Sequence, residues 1–127
     1  SLVFFSRVPR PPGLTRFPYT TRFRADDPMV HQALLAHSTD LTLIGTALRP
    51  VPELSEADST VKIQTAVTSH SIWFHRPFRL DEWVLIAQES PSLAGARGFG
   101  LGHAYNATGA LVASFAQESM IRPIEPK

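Results

Sequence analysis

The stretch from Asp27 to Leu48, DPMVHQALLAHSTDLTLIGTAL, constrains the fold of this chain more than any other. It reads as a single helix. Asp27 offers an N-cap carboxylate, and Pro28 stands at the first helical position, where a missing N–H costs nothing. Asp26 and Asp27 also suit the positive end of the helix dipole. Advancing about 100° per residue, Val30, Ala33, Leu34, Ala36, Leu41, Leu43, Ile44, Ala47 and Leu48 collect in an arc of roughly 180°. Gln32, Ser38, Thr39, Thr42 and Thr46 fall opposite. Asp40 lies inside the apolar arc, among Ala33, Ala36, Leu43 and Ala47. A carboxylate there must be paired, protonated or in use.

Four strand-like segments follow a loop rich in proline, serine and acid. Val61 to Arg76 is dense in β-branched and aromatic residues. Its alternation puts Thr65, Val67, Ser69, Ser71 and Trp73 on one face, and Thr68, His70, Ile72 and Phe74 on the other. Trp83 to Ser90 reads as a strand buried on both faces and stopped by Pro91. In Ala94 to Asn106, Gly98, Gly100 and Gly102 share one face with alanines, while Arg97, Phe99, Leu101, His103 and Tyr105 share the other. A face nearly without side chains lets a helix lie close on the sheet. Asn106 to Gly109 suits a hairpin loop, and Leu111 to Ile121 returns as the last strand. Strands joined in series by short turns make an antiparallel meander. The expected fold class is α+β, an antiparallel sheet wrapped around one long helix.

With 127 residues, one domain is expected, spanning 25–127. Residues 1–24 carry prolines and arginines but no acid, and read as an N-terminal arm, disordered or non-native in origin. Ser1 to Phe5 and Phe17 to Arg24 are short strand candidates within it. FPYTTRFR resembles a translation product of sequencing-adapter DNA, so no function is built on the arm. A net charge of +1 gives no reason to expect a nucleic-acid partner. The lack of cysteine excludes a thiolate nucleophile and cysteine-ligated zinc. His70, His75 and His103 form no ligand pair with a carboxylate at helical spacing, so no metal is expected. No apolar run has the length of a membrane span and no targeting signal is evident, which makes the cytoplasm the default location.

Two residues carry candidate chemistry. Asp40, in a partly apolar setting, could serve as a general base, or be a buried acid capping an amide or meeting an arginine. His37, one turn earlier, is more readily a helix-face contact than a catalytic partner. Gln117 shares its parity in the last strand with Ala113, Phe115 and Ser119; its amide can position a water, or be structural.

The segments ALLAHSTDLTLIGTAL, HSIWFHRPF, EWVLIAQESPS, ARGFG and LVASFAQE resemble, in order, the C-terminal half of the acyl-CoA thioesterase II family, over about residues 26–123. The resemblance implies the hotdog fold, in which an antiparallel sheet wraps a central helix, and a usual chain of two such units in tandem. It implies hydrolysis of fatty acyl-CoA by an activated water, with no cofactor, metal or covalent intermediate. Asp40 matches the family's helix aspartate and Gln117 its strand glutamine. The third group, a hydroxyl, falls on Val67, which cannot bond a water; Thr65 or Ser69, of the same parity, are the candidates to supply it. The expected partners are an acyl-CoA substrate and a second hotdog unit, either a copy of this chain or a separate one, pairing along an open sheet edge. The alternative is a catalytically weak or inactive hotdog module that binds acyl-CoA or only assembles, as half of a tandem enzyme.

Overall fold

A computed structural model describes residues 2–6, 26–51 and 62–124. Strand β1 (Leu2–Ser6) is followed by helices α1 (Pro28–Asp40) and α2 (Leu43–Leu48), then β2 (Ile63–Phe74), β3 (Val84–Ala94), β4 (Arg97–Asn106) and β5 (Leu111–Pro123). The strands form one five-stranded sheet in the order β1-β3-β4-β5-β2, antiparallel at every pairing. β2 through β5 are the four segments expected from alternation. β1 overlaps the first strand candidate of the arm and pairs with β3, Leu2 opposite Gln88 and Ser6 opposite Val84. The second candidate, Phe17 to Arg24, lies outside the described residues.

The helix starts as its sequence predicts. Asp27 Oδ1 accepts from the Met29 amide at 2.9 Å, and Pro28 opens the first turn. The loop after β2 holds this end in place. The Leu80 amide donates to the buried His31 Nδ1 at 3.0 Å. Arg79 bridges Asp81, at 2.9 Å, and Asp26, at 3.2 Å.

The single helix expected over Asp27–Leu48 is broken. Leu41 and Thr42 form a turn, and Thr42 becomes the N-cap residue of α2. A glutamine from the sheet is bonded to the chain at the break. Gln88 on β3 is buried; its Oε1 accepts from Thr42 Oγ1 at 2.8 Å, and its Nε2 donates to Thr42 O at 3.2 Å and Thr46 Oγ1 at 2.6 Å. The break changes which face is inside. α1 buries His31, Leu35 and Thr39, whereas Leu34 and Leu41, placed in the apolar arc by a continuous wheel, are 38% and 55% exposed. The apolar phase of Leu43, Ala47 and Leu48 holds for α2 but does not extend through the turn.

α2 lies on β3 and β4, and the glycine face permits it. A Cβ on Gly100 would stand 2.7 Å from Leu43 Cδ2, and one on Gly98 3.1 Å from Ala47 Cβ. α1 packs instead against β2. Two apolar clusters result. One gathers Leu35, Leu43, Leu80, Val84, Ile86, Ala104, Val112, Ala113 and Phe115; the other gathers Ala47, Leu48, Ile63 and Ile121.

Two irregularities depart from simple alternation. β3 continues past Pro91 to Ala94, because its register shifts between Glu89 and Ser92 and a bulge there accommodates a residue with no N–H. Gly95 and Ala96, both near φ +60°, then turn the chain into β4. In β2 the register shifts between Val67 and Ser69, so Thr68 is the extra residue. Val67 opposes Ser119, Ser69 opposes Glu118, and His70 opposes Gln117. Inward parity therefore passes from Ile63, Thr65 and Val67 to His70 and Ile72.

Candidate active site

Between the two apolar clusters, a polar band crosses the inner face of the sheet. Successive inward residues of β5 show it: Ala113 and Phe115 belong to one cluster, Ile121 to the other, and Gln117 and Ser119 lie between, 1% and 3% exposed. His70 is opposite Gln117 on β2, and Gly100 is opposite it on β4. Gln88 continues the band on β3. The break between α1 and α2 sits over these groups, since Thr39, Thr42 and Thr46 all bond into them.

The band is joined by hydrogen bonds. His70 Nδ1 lies 2.8 Å from Gln117 Oε1, and Gln117 Nε2 donates to Ser119 Oγ at 3.1 Å. On its other side, His70 Nε2 lies 3.2 Å from Thr39 Oγ1, which is also 3.0 Å from Ala36 O. The Phe115 ring lies along the imidazole, centroids 6.4 Å apart. Thus the C-terminal turn of α1 and the middle of β5 are tied through one imidazole. Among the described residues every buried side-chain nitrogen and oxygen has a partner.

Asp40 ends α1 and is half-buried. No hydrogen bond or ion pair joins its carboxylate to another described residue. The place is unfavourable for an anion, because the C-terminal end of a helix is its negative pole; the penalty is of the order of 0.3–1 kcal/mol. The apolar surroundings expected from a continuous helix are replaced by the turn and by the neighbouring Thr39 and its bond to His70.

The hydroxyl candidates separate. Thr65 is half-buried on the inward side and stands opposite Ile121, displaced from Gln117 toward the second cluster. Ser69 does not share the parity of Val67; the bulge turns it to the exposed side, opposite Glu118. Thr68 also faces outward and donates to Glu118 O at 3.0 Å. Val67 is on the inward side at the rim, 39% exposed, and its cross-strand partner is Ser119. Side chains of such a pair stand about 4.5–5.5 Å apart at Cβ. A hydroxyl is therefore present beside Val67, on the other strand of the pair.

Three members of the band are not legible as such in the sequence. Ser119 was legible only as a residue sharing parity with Gln117. His70 was assigned to the wrong face because nothing in VKIQTAVTSHSIWF marks the bulge. Gln88 sits in a run that reads as a buried strand, and a buried amide there signals a partner without saying which one.

The comparisons with known proteins agree with this architecture. The family model described as acyl-CoA thioesterase matches residues 17–120. Acyl-CoA thioesterase 2 of Haemophilus influenzae is 42% identical over 96 residues, covering 76% of this chain and 32% of the relative. Acyl-coenzyme A thioesterase 8 of Homo sapiens is 36% identical over 96 residues, covering 76% of this chain and 28% of the relative. An acyl-CoA thioesterase II from Mycobacterium marinum superposes with a TM-score of 0.68 at 39% identity, over 79% of this chain and 37% of that one. A probable thioesterase from Bartonella henselae, at 19% identity, shares the fold with a TM-score of 0.64 over 99% of this chain and 98% of its own. This chain spans about a third of the length of the curated relatives. Its hotdog architecture and the family match over most of its length place it in the acyl-CoA thioesterase family.

Proposed function

We propose that this chain hydrolyses fatty acyl-CoA to a free fatty acid and coenzyme A, as a cytoplasmic enzyme of lipid metabolism, with Asp40 as general base and Gln117 orienting the water. One observation carries the reading: in a chain of this family, His70 bridges Gln117, at 2.8 Å, and Thr39, at 3.2 Å, the residue next to Asp40. Asp40 takes a proton from the water, and the resulting hydroxide attacks the thioester carbonyl. The tetrahedral intermediate collapses, the C–S bond breaks, and the proton goes to the departing thiolate. The water needs at least one further hydroxyl. Ser119 supports that role through its bond to Gln117, and Thr65 is the remaining inward hydroxyl of β2. No cofactor enters this scheme.

A second reading is favoured by Val67, which offers no hydroxyl where the family places one. It is a module that binds acyl-CoA with little or no turnover. Thiol release from a chain-length series of acyl-CoA substrates separates the two. Hydrolysis that falls by about 10²-fold or more in Asp40→Asn supports the first, general-base catalysis being worth about 10²–10⁴-fold. Hydrolysis untouched by Asp40→Asn sinks it, and binding without release establishes the second. Either reading includes a second hotdog unit across the β2 edge.

A further inference from the structure

The hydrogen-bonded chain through His70 can close in two arrangements, and the protons on the ring decide between them. Thr39 has one hydroxyl proton, and two acceptors compete for it: Ala36 O at 3.0 Å and the lone pair of His70 Nε2, 3.2 Å away. While Thr39 keeps its bond to Ala36, His70 Nε2 must carry a proton and donate to Thr39. His70 Nδ1 then has two options. With a proton it donates to Gln117 Oε1, at 2.8 Å, and the amide nitrogen of Gln117 donates to Ser119, at 3.1 Å. Without a proton it needs a donor, so the Gln117 amide must turn over, giving its N–H to the ring and its Oε1 to the Ser119 hydroxyl.

We propose that His70 is the positioning residue of this site: it holds Gln117 against the end of α1, and its proton decides which end of the Gln117 amide faces Ser119. The burial of Gln117, Thr39 and Ser119, at 1%, 0% and 3% exposure, makes an unmade bond costly and couples the amide to the ring. Among the described residues the charged groups around the ring are few. Asp40 ends α1 beside Thr39, and His37 on the same helix is exposed. Glu118 on β5 faces outward, held by Arg97 at 2.6 Å. From Ser69 to Phe74, β2 carries no titratable group other than His70. The consequence for hydrolysis rests on the reading above; the coupling does not.

Nuclear magnetic resonance on the full chain tests the coupling directly. The ring nitrogens of His70 and the side-chain amide of Gln117 are followed from about pH 5 to 9, the range in which imidazole changes charge. The expected result is a single midpoint shared by both. A ring that titrates while the Gln117 amide signals stay fixed overturns the proposal, as does a ring that never titrates. In His70→Phe the Gln117 signals lose their pH dependence, and their retention there is a third refutation. Kinetics then separate the two claims. His70→Phe lowers kcat by about 10²-fold, the cost of a misplaced group, with KM within about twofold. A wild-type chain that releases no thiol yet shows the shared midpoint refutes the thioesterase reading and leaves the role of His70 intact.

Discussion

At residue scale, the informative pair is Val67 and Ser119. They face each other across β2 and β5, one at the rim and one buried, and only Ser119 has a hydroxyl. If Ser119 serves the water, its hydroxyl and one at position 67 are partly interchangeable. Ser119→Ala leaves the Gln117 Nε2 without its acceptor and is expected to cost about 1–3 kcal/mol of stability. Its turnover should fall about tenfold, the rate equivalent of one hydrogen bond. Val67→Thr alone should raise turnover, and in the Ser119→Ala background it should restore part of the loss. A double-mutant cycle with strictly additive rates would separate the two positions and return the hydroxyl role to Thr65. None of this was visible from spacing. Asp40 and Gln117 can be singled out because each stands, along the sequence, among apolar residues of its own face, but their actual neighbours depend on a bulge and a helix break that are tertiary events.

At element scale, the sequence is legible where one periodicity rules and not where two meet. The glycine face of β4 predicted a closely laid helix, and Leu43 and Ala47 fill that space. Gly100→Ala tests the contact: its Cβ would meet Leu43 Cδ2 at 2.7 Å, with the Glu89 carbonyl at 3.3 Å limiting escape. Overpacking of this kind costs about 1–3 kcal/mol, read as a lower denaturation midpoint with an unchanged slope. Unchanged stability would mean that α2 rides farther from the sheet. The helix was harder to read. A wheel drawn through Asp27–Leu48 averages two segments of different phase, and α1 buries His31 and Thr39, which no hydropathy pattern selects. Their burial follows from partners on distant elements, Leu80 for His31 and His70 for Thr39. At the break, likewise, Thr42 and Thr46 meet a partner from a distant strand, Gln88. Pro91 failed as a stop signal because the neighbouring register shift absorbs its missing donor.

At the scale of the molecule, the β2 edge and the outer stripe of α1 belong to one surface. Among the described strands β2 has a neighbour on one side only, and α1 packs against β2. Around them Leu34, Leu41, Val67, Trp73 and Phe74 are 38%, 55%, 39%, 55% and 37% exposed. An open edge flanked by large apolar groups is a liability unless another strand covers it. A second hotdog unit, continuing the sheet from β2, would cover the edge and the stripe together. It would also close the rim where Val67 and the end of α1 meet solvent, so assembly and turnover should rise and fall together. Leu34→Glu and Trp73→Glu each place a charge on this surface without touching the polar band. By sedimentation, the wild-type chain is expected at twice its own mass, and each variant should dissociate about tenfold more readily or worse, a loss of about 1.4 kcal/mol. Circular dichroism should be unchanged, because both side chains are exposed in the single chain. Hydrolysis per chain should then depend on protein concentration in the variants and recover as dimer re-forms. A wild-type chain that stays at single mass at about 100 μM, a concentration that would populate a dimer of micromolar Kd, would show that this surface is not closed by a second copy. Activity that follows a monomer with no such dependence would show that the rim needs no cover.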